Sequence, residues 1–301
     1  MILAYRILTT ILYPLLLIYL YYRKLINKED PNRYKEKIFT SHFKVKRKNK
    51  SKLIWFHAAS IGEFKSIIPI IEQLNVLNKN FEYLITTSTL SSANLAKIEL
   101  KKFYNVEHRF FPFDVNFLIE KFLIFWKPDK IFLVDSEIWP NLILNAKIKR
   151  IPIALINARI TEKSYNKWKL FSKTAKYIFG VFSLCLTSNR ETAKYLDKFN
   201  ARNIIYSGNI KLIKSDEKKS NINLNEKILV DNKFWLAVST HRNEEKFCLE
   251  THIELKKKIK TIITLIVPRH INRVYEIEKI CNQLNLSSQI LNREQKILND
   301  K

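Results

Sequence analysis

Glycine is nearly missing from this chain, with three in 301 residues. No G-x-x-x-x-G-K-[ST] phosphate loop and no G-x-G-x-x-G dinucleotide turn is present, which disfavours ATP or NAD chemistry. Cysteine is as scarce. Cys185, Cys248 and Cys281 are far apart, odd in number and outside any C-x-x-C spacing. A disulfide framework and a cysteine zinc site are therefore both disfavoured. The six histidines show no H-E-x-x-H or comparable ligand spacing. No metal and no cofactor is expected. Acidic residues are outnumbered, with 28 Asp plus Glu against 53 Lys plus Arg and a formal charge of +25. That balance calls for anionic partners: a membrane surface, nucleic acid or a phosphorylated substrate. No basic motif interleaved with aromatics, of the kinds used for RNA or DNA, occurs, so nucleic acid is set aside.

A full-length membrane-spanning run is also lacking. Residues 7–22 give 16 uncharged positions, interrupted by Pro14, where a span needs about 20. No small-residue cleavage site follows. Residues 23–52 carry 12 Lys or Arg against 3 Asp or Glu. This excess points to the cytoplasmic side of a membrane and to contact with anionic headgroups. Residues 1–22 read as a short membrane anchor or interfacial helix, and 23–52 as its basic flank. A buried core helix is the competing reading of 1–22.

What is present is alternation. Strand-like stretches fall at 53–56, 82–88, 106–113, 130–134, 151–156, 181–186 and 203–206. Between them lie helical ones at 64–77, 90–103, 115–126, 142–149, 164–179 and 190–199, with Asp114 as the expected cap of the third. Strands alternating with helices of this length predict an α/β domain, with a parallel sheet between helix layers, over 53–213. Residues 214–226 are polar and charged and read as a linker. A second part, 227–301, resumes with strands at 234–238 and 261–267 and a possible one at 287–291. Two or three strands in 75 residues leave an open edge and little core.

Polar groups recur just after the strands, where an open parallel sheet binds its ligands. In Trp55-Phe56-His57-Ala58-Ala59-Ser60-Ile61-Gly62-Glu63 a strand, a tight turn and a helix follow one another. Ser60-x-x-Glu63 fits a capping box. It equally fits a general base at the mouth of a sheet. Asp135 is either a helix cap or a second functional carboxylate, and Asn157 and Arg159 either hold loops together or line a site. Two carboxylates at different turns, with Lys211 and Arg269 at others, suit transfer of a group away from a phosphate. One carboxylate takes a proton from the acceptor hydroxyl. The cations neutralise charge growing on the leaving phosphate.

The segments His57–Glu63, Asp135-Ser136-Glu137-Ile138-Trp139-Pro140-Asn141, Asn157-Ala158-Arg159, Ser239-Thr240-His241 and Val267-Pro268-Arg269-His270 resemble, in order and spacing, the bacterial 3-deoxy-D-manno-octulosonic acid (Kdo) transferases of lipopolysaccharide synthesis. The resemblance implies a GT-B glycosyltransferase with two Rossmann-like domains and no metal. It implies inverting transfer of Kdo from CMP-Kdo to the lipid A precursor (lipid IVA), at the cytoplasmic face of the inner membrane. By position it implies Glu63 as base, Asp135 and Lys211 as transition-state stabilisers, and Pro268 and Arg269 as part of the CMP site. Asp135 stands where the family commonly has Glu. The family's later glycine-rich run and Asn-Pro-Leu-Glu element do not occur, so the second domain is expected to be incomplete and the chain inactive alone. The alternative is a non-catalytic remnant that binds anionic lipid at the membrane.

Overall fold

The computed structural model describes residues 1–43, 51–213, 224–292 and 295–297. The chain divides into two compact units, Met1–Glu217 and Lys218–Lys301. Most of the expected linker, residues 214–223, lies outside the described residues, as do 44–50 of the basic flank.

In the first unit the apolar N-terminus forms two helices, α1 (Ile2–Ile11) and α2 (Tyr13–Leu25), bent by 55°. This corrects the expectation of one anchor helix over 1–22. Pro14 sits in the first turn of α2, where its missing N–H leaves no bond unmade. Were α1 continuous, the same ring would clash with the carbonyl one turn back. Among the described residues no single helix is long and apolar enough to cross a membrane, although the bent pair together has the length and composition. The inner side of the pair belongs to the core. Leu20 is buried, Tyr13, Leu16 and Leu17 pack against the main cluster, and Tyr13 meets Phe117 edge-on at 5.0 Å. Its outer side exposes Leu3, Ile7, Leu8, Ile11, Leu15 and Ile18. The core reading of 1–22 holds for the inner face, and the outer face is exposed.

The alternation then follows: β1 (Lys52–His57), α3 (Ile61–Leu77), β2 (Phe81–Thr87), α4 (Leu90–Glu99), β3 (Val106–Phe110), α5 (Asn116–Trp126), β4 (Lys130–Val134), α6 (Pro140–Ile148), β5 (Ile153–Ala158), α7 (Glu162–Lys169), α8 (Ser172–Phe179), β6 (Leu184–Thr187), α9 (Arg190–Lys198) and β7 (Ile204–Tyr206). All seven strands are parallel, in the order β3-β2-β1-β4-β5-β6-β7. Because side chains alternate along a strand, β1 sends Phe56 to one core cluster and Trp55 to the other. Phe56 joins Phe64, Ile67 and Ile71 of α3. Trp55 joins Phe122 of α5, Leu142 of α6 and Phe179 of α8. The strand order reverses between β1 and β4, which opens a crevice beyond their carboxyl ends.

Two expectations change here. The helix over 164–179 is broken at Leu170 and Phe171 into α7 and α8. Tyr165 and Trp168 face the core from α7, and Ala175, Ile178 and Phe179 from α8. A straight helix would put Phe171 or Ser172 in line with them, and the break leaves both outside. Asp114 does not cap α5, whose N-cap is Val115 with no side-chain bond. Its carboxylate instead accepts the Asn141 and Leu142 amides at the start of α6, 2.9 Å each, and the Tyr5 hydroxyl at 3.0 Å.

The second unit holds α10 (Glu226–Asp231), β8 (Phe234–Thr240), α11 (Glu244–Lys258), β9 (Ile263–Pro268) and α12 (Val274–Gln283). Among the described residues its sheet has two parallel strands, β8 and β9, and 287–291 forms no strand. Leu249, Ile277 and Cys281 make its buried core. Phe234, Leu236, Val238 and Val267 stay exposed.

Candidate active site

Glu63 stands in the first turn of α3, and its carboxyl folds back over the turn. One oxygen accepts the Ala59 amide at 2.8 Å and the other the Ser60 hydroxyl at 2.7 Å, while Ser60 Oγ accepts the Glu63 amide at 3.4 Å. The geometry is a close variant of the capping box. Glu63 is 8% exposed. Burial pushes its pKa up, and the negative charges of Glu137 and Asp135 add to the rise, against the lowering effect of its two hydrogen bonds. A carboxylate raised in this way is a better proton acceptor than an exposed one. Capping and basicity therefore coexist on one side chain.

Asp135 follows β4 in a left-handed conformation, φ 61°. The Asn157 side-chain amide donates to one of its oxygens, and the Lys211 ammonium pairs with the other. Asn157, itself left-handed at φ 54° and buried near the end of β5, accepts the Ile210 amide at 3.0 Å through its carbonyl oxygen. That bond fixes the short turn Ile210–Leu212 which presents Lys211. The lysine stem runs beside Gly62, where an added Cβ would lie 3.9 Å from Lys211 Cε. Glu63, Asp135 and Lys211 thus come from the ends of β1, β4 and β7 to one crevice.

Behind them His57 is fully buried. It stacks on Phe111 at 3.9 Å between ring centroids, with Nδ1 3.0 Å from Thr86 Oγ1. Its Nε2 lies 3.3 Å from Glu137 Oε2, outside hydrogen-bond geometry, and the Trp139 indole N–H donates to that oxygen at 2.8 Å. Arg159 contributes backbone only: its carbonyl accepts the Ser136 hydroxyl at 2.6 Å, and the residue is exposed.

In the second unit Pro268 ends β9 and Arg269 follows it, exposed, with its amide bonded to the Thr240 carbonyl at 3.0 Å. Beneath these turns Glu245 is fully buried. It accepts two bonds from Arg273, 2.7 and 3.1 Å, and one from the Thr240 hydroxyl at 2.9 Å.

Residues 32–213 match the family described as 3-deoxy-D-manno-octulosonic-acid transferase (kdotransferase). The chain belongs to the Kdo transferase family. It is 33% identical over 276 residues to a probable Kdo transferase, mitochondrial, of Arabidopsis thaliana, covering 88% of this chain and 60% of the relative. To the Kdo transferase of Rickettsia bellii it is 30% identical over 289 residues, 94% of this chain and 67% of the relative. The chain therefore spans roughly two thirds of the length of these curated relatives. Among solved structures it is similar to a UDP-GlcNAc 2-epimerase from Neisseria meningitidis bound to UDP-GlcNAc, with TM-score 0.57 and 16% identity, over 80% of this chain and 73% of that one. A glycosyltransferase from Rickettsia africae gives TM-score 0.51 at 13% identity, over 84% and 69%. These likenesses concern the fold, which is that of the GT-B glycosyltransferases.

Glu63, Asp135 and Lys211 stand together after strand ends of the first unit, and Pro268 and Arg269 stand at the end of β9 in the second; reading strand ends misses the side chains that hold the first three. Asn157, which the sequence leaves as either a loop tie or a site residue, is the bridge between Asp135 and the Lys211 turn. The His57–Glu137–Trp139 group gave one weak signal, a histidine at the end of an apolar strand.

Proposed function

We propose that this chain transfers Kdo from CMP-Kdo to the lipid A precursor, with inversion and without a metal. The observation that carries the reading is the convergence of Glu63, Asp135 and Lys211 at the β1–β4 crevice. Glu63 takes the proton from the acceptor hydroxyl. The freed oxygen forms a bond to the anomeric carbon as that carbon's bond to the cytidylate oxygen breaks, and CMP leaves with the electron pair. Lys211 offers a cation to the departing phosphate. Asp135 holds Lys211 and faces the positive charge that develops on the sugar. Pro268 and Arg269 bind the cytidylate. The place of action is the cytoplasmic face of the inner membrane, an anionic surface, a reading supported by the exposed outer side of α1 and α2 and the +25 charge.

The test is release of CMP from CMP-Kdo, with and without the lipid IVA acceptor, by this chain fused to the C-terminal part of a relative. Acceptor-dependent release with a Kdo-bearing lipid product is expected, and release indifferent to acceptor would sink the reading. The exposed sheet face of Phe234, Leu236, Val238 and Val267 favours a second reading, in which this stretch alone binds anionic lipid without transfer. Flotation with anionic vesicles and no CMP release would support that one.

A further inference from the structure

We propose that the corner between α7 and α8 is a second membrane contact, which lays Leu170 and Phe171 into the interface of an anionic phospholipid bilayer. It rests on the membrane part of the reading above and needs no catalysis. Leu170 is 78% exposed and Phe171 51%. Neither is needed by the core, because α7 already packs Trp168 on Phe179 (ring centroids 5.4 Å apart) and Tyr165 on Tyr195 at 4.2 Å. Two exposed apolar residues alone would mean little. Here they are surrounded by Lys163, Lys167, Lys169 and Lys173, all exposed, against one acid, Glu162. A shallow hollow of about 560 Å³ runs beside Leu170 between Lys163 and Lys167. Leu and Phe at the acyl boundary, with lysines reaching up to phosphates, is how amphipathic surfaces lie in an interface.

Position agrees with composition. The corner tops α8, which shares its layer with α6; Lys147 of α6 stands over the Tyr177 ring of α8 at 4.1 Å. The start of α6 is tied through Asp114 to Tyr5 of α1. The corner and the exposed pair α1 and α2 therefore lie on one side of the sheet. Two contacts on one side would fix the orientation of the crevice to the bilayer, which one contact leaves free to rotate.

The test places an environment-sensitive fluorophore on Leu170→Cys in the full 301-residue chain, whose own cysteines are buried. Leu77→Cys, on the opposite layer and 79% exposed, is the control. With phosphatidylglycerol-containing vesicles, the label at 170 should brighten several-fold, shift to the blue and be quenched by acyl-chain spin labels. The label at 77 should not change. Replacing Lys163, Lys167, Lys169 and Lys173 by Gln should weaken partition at low salt by about fivefold per lysine. A chain that floats with vesicles while position 170 reports water overturns the proposal alone. Equal responses at 170 and 77, or partition unmoved by the lysine changes, overturn it as well. A chain that does not float overturns the membrane part of the function too.

Discussion

Two buried glutamates stand at matching places in the two units, and they have opposite surroundings. Glu63 lies in the first turn of the helix after β1, and Glu245 in the first turn of the helix after β8. Glu63 has hydroxyl and amide partners and two other carboxylates for neighbours, so burial and like charge raise its pKa. Burial also pushes Glu245 up, but Arg273, the backbone amide and the Thr240 hydroxyl outweigh it and hold the group below the ordinary glutamate range. Position in the fold and burial are shared. The presence of a partnered guanidinium separates a carboxyl whose pKa is raised from one whose pKa is lowered.

The contrast breaks most visibly in kinetics. Glu63→Gln should lower Kdo transfer by about 10²- to 10⁴-fold. It is measured as CMP release by this chain or, if the chain gives no turnover, by a fusion to the C-terminal part of a relative. A loss under tenfold would leave Glu63 as a helix cap and nothing more. Next in size, Arg273→Ala strands a fully buried carboxylate and should destabilise the second unit by about 3–5 kcal/mol. Limited proteolysis in urea should then cut the second unit early and leave the first intact; equal sensitivity in wild type and variant would show the pair is dispensable.

The smallest effect is in pH and has opposite signs. The raised pKa of Glu63 contributes stability that is full below its unfolded value of 4.5 and is lost as pH rises through the folded value. The lowered pKa of Glu245 contributes stability that is present above 4.5 and is lost as pH falls through the folded value. Relative to Glu63→Gln, the first unit should therefore gain as pH falls towards 4.5. Relative to Glu245→Gln, the second should lose below it. Amide exchange read separately in each unit checks both slopes, and parallel slopes would erase the distinction.

The sheet was legible because strands and helices alternate in apolar period, and residues just after strands were legible because parallel topology sends them to one end. The supports were not. Asp114 caps a helix whose first amides lie 27 and 28 residues away, and local sequence carries no trace of such a bond. The bend in the N-terminal pair did have a signal, Pro14, whereas the break at Leu170 shows only as a lapse in the apolar stripe. Asp135 is instructive in another way. The shorter acid tolerates a left-handed backbone that most side chains avoid, and from there it reaches Lys211.

The shortage of glycine leaves a chemical clock in the molecule. Only Gly208 among the glycines takes a positive φ, and asparagine does so at 27, 157, 200, 203, 243 and 285. Side-chain amides are heat-labile, so the turns of this chain age where glycine would not. At Asn157 the lesion is more than a change of turn. Hydrolysis of its amide would remove the donor to Asp135 and put a second carboxylate beside the one that already pairs with the single ammonium of Lys211. Like charges at that distance repel, and an aged molecule would keep its sheet and lose the arrangement at its mouth.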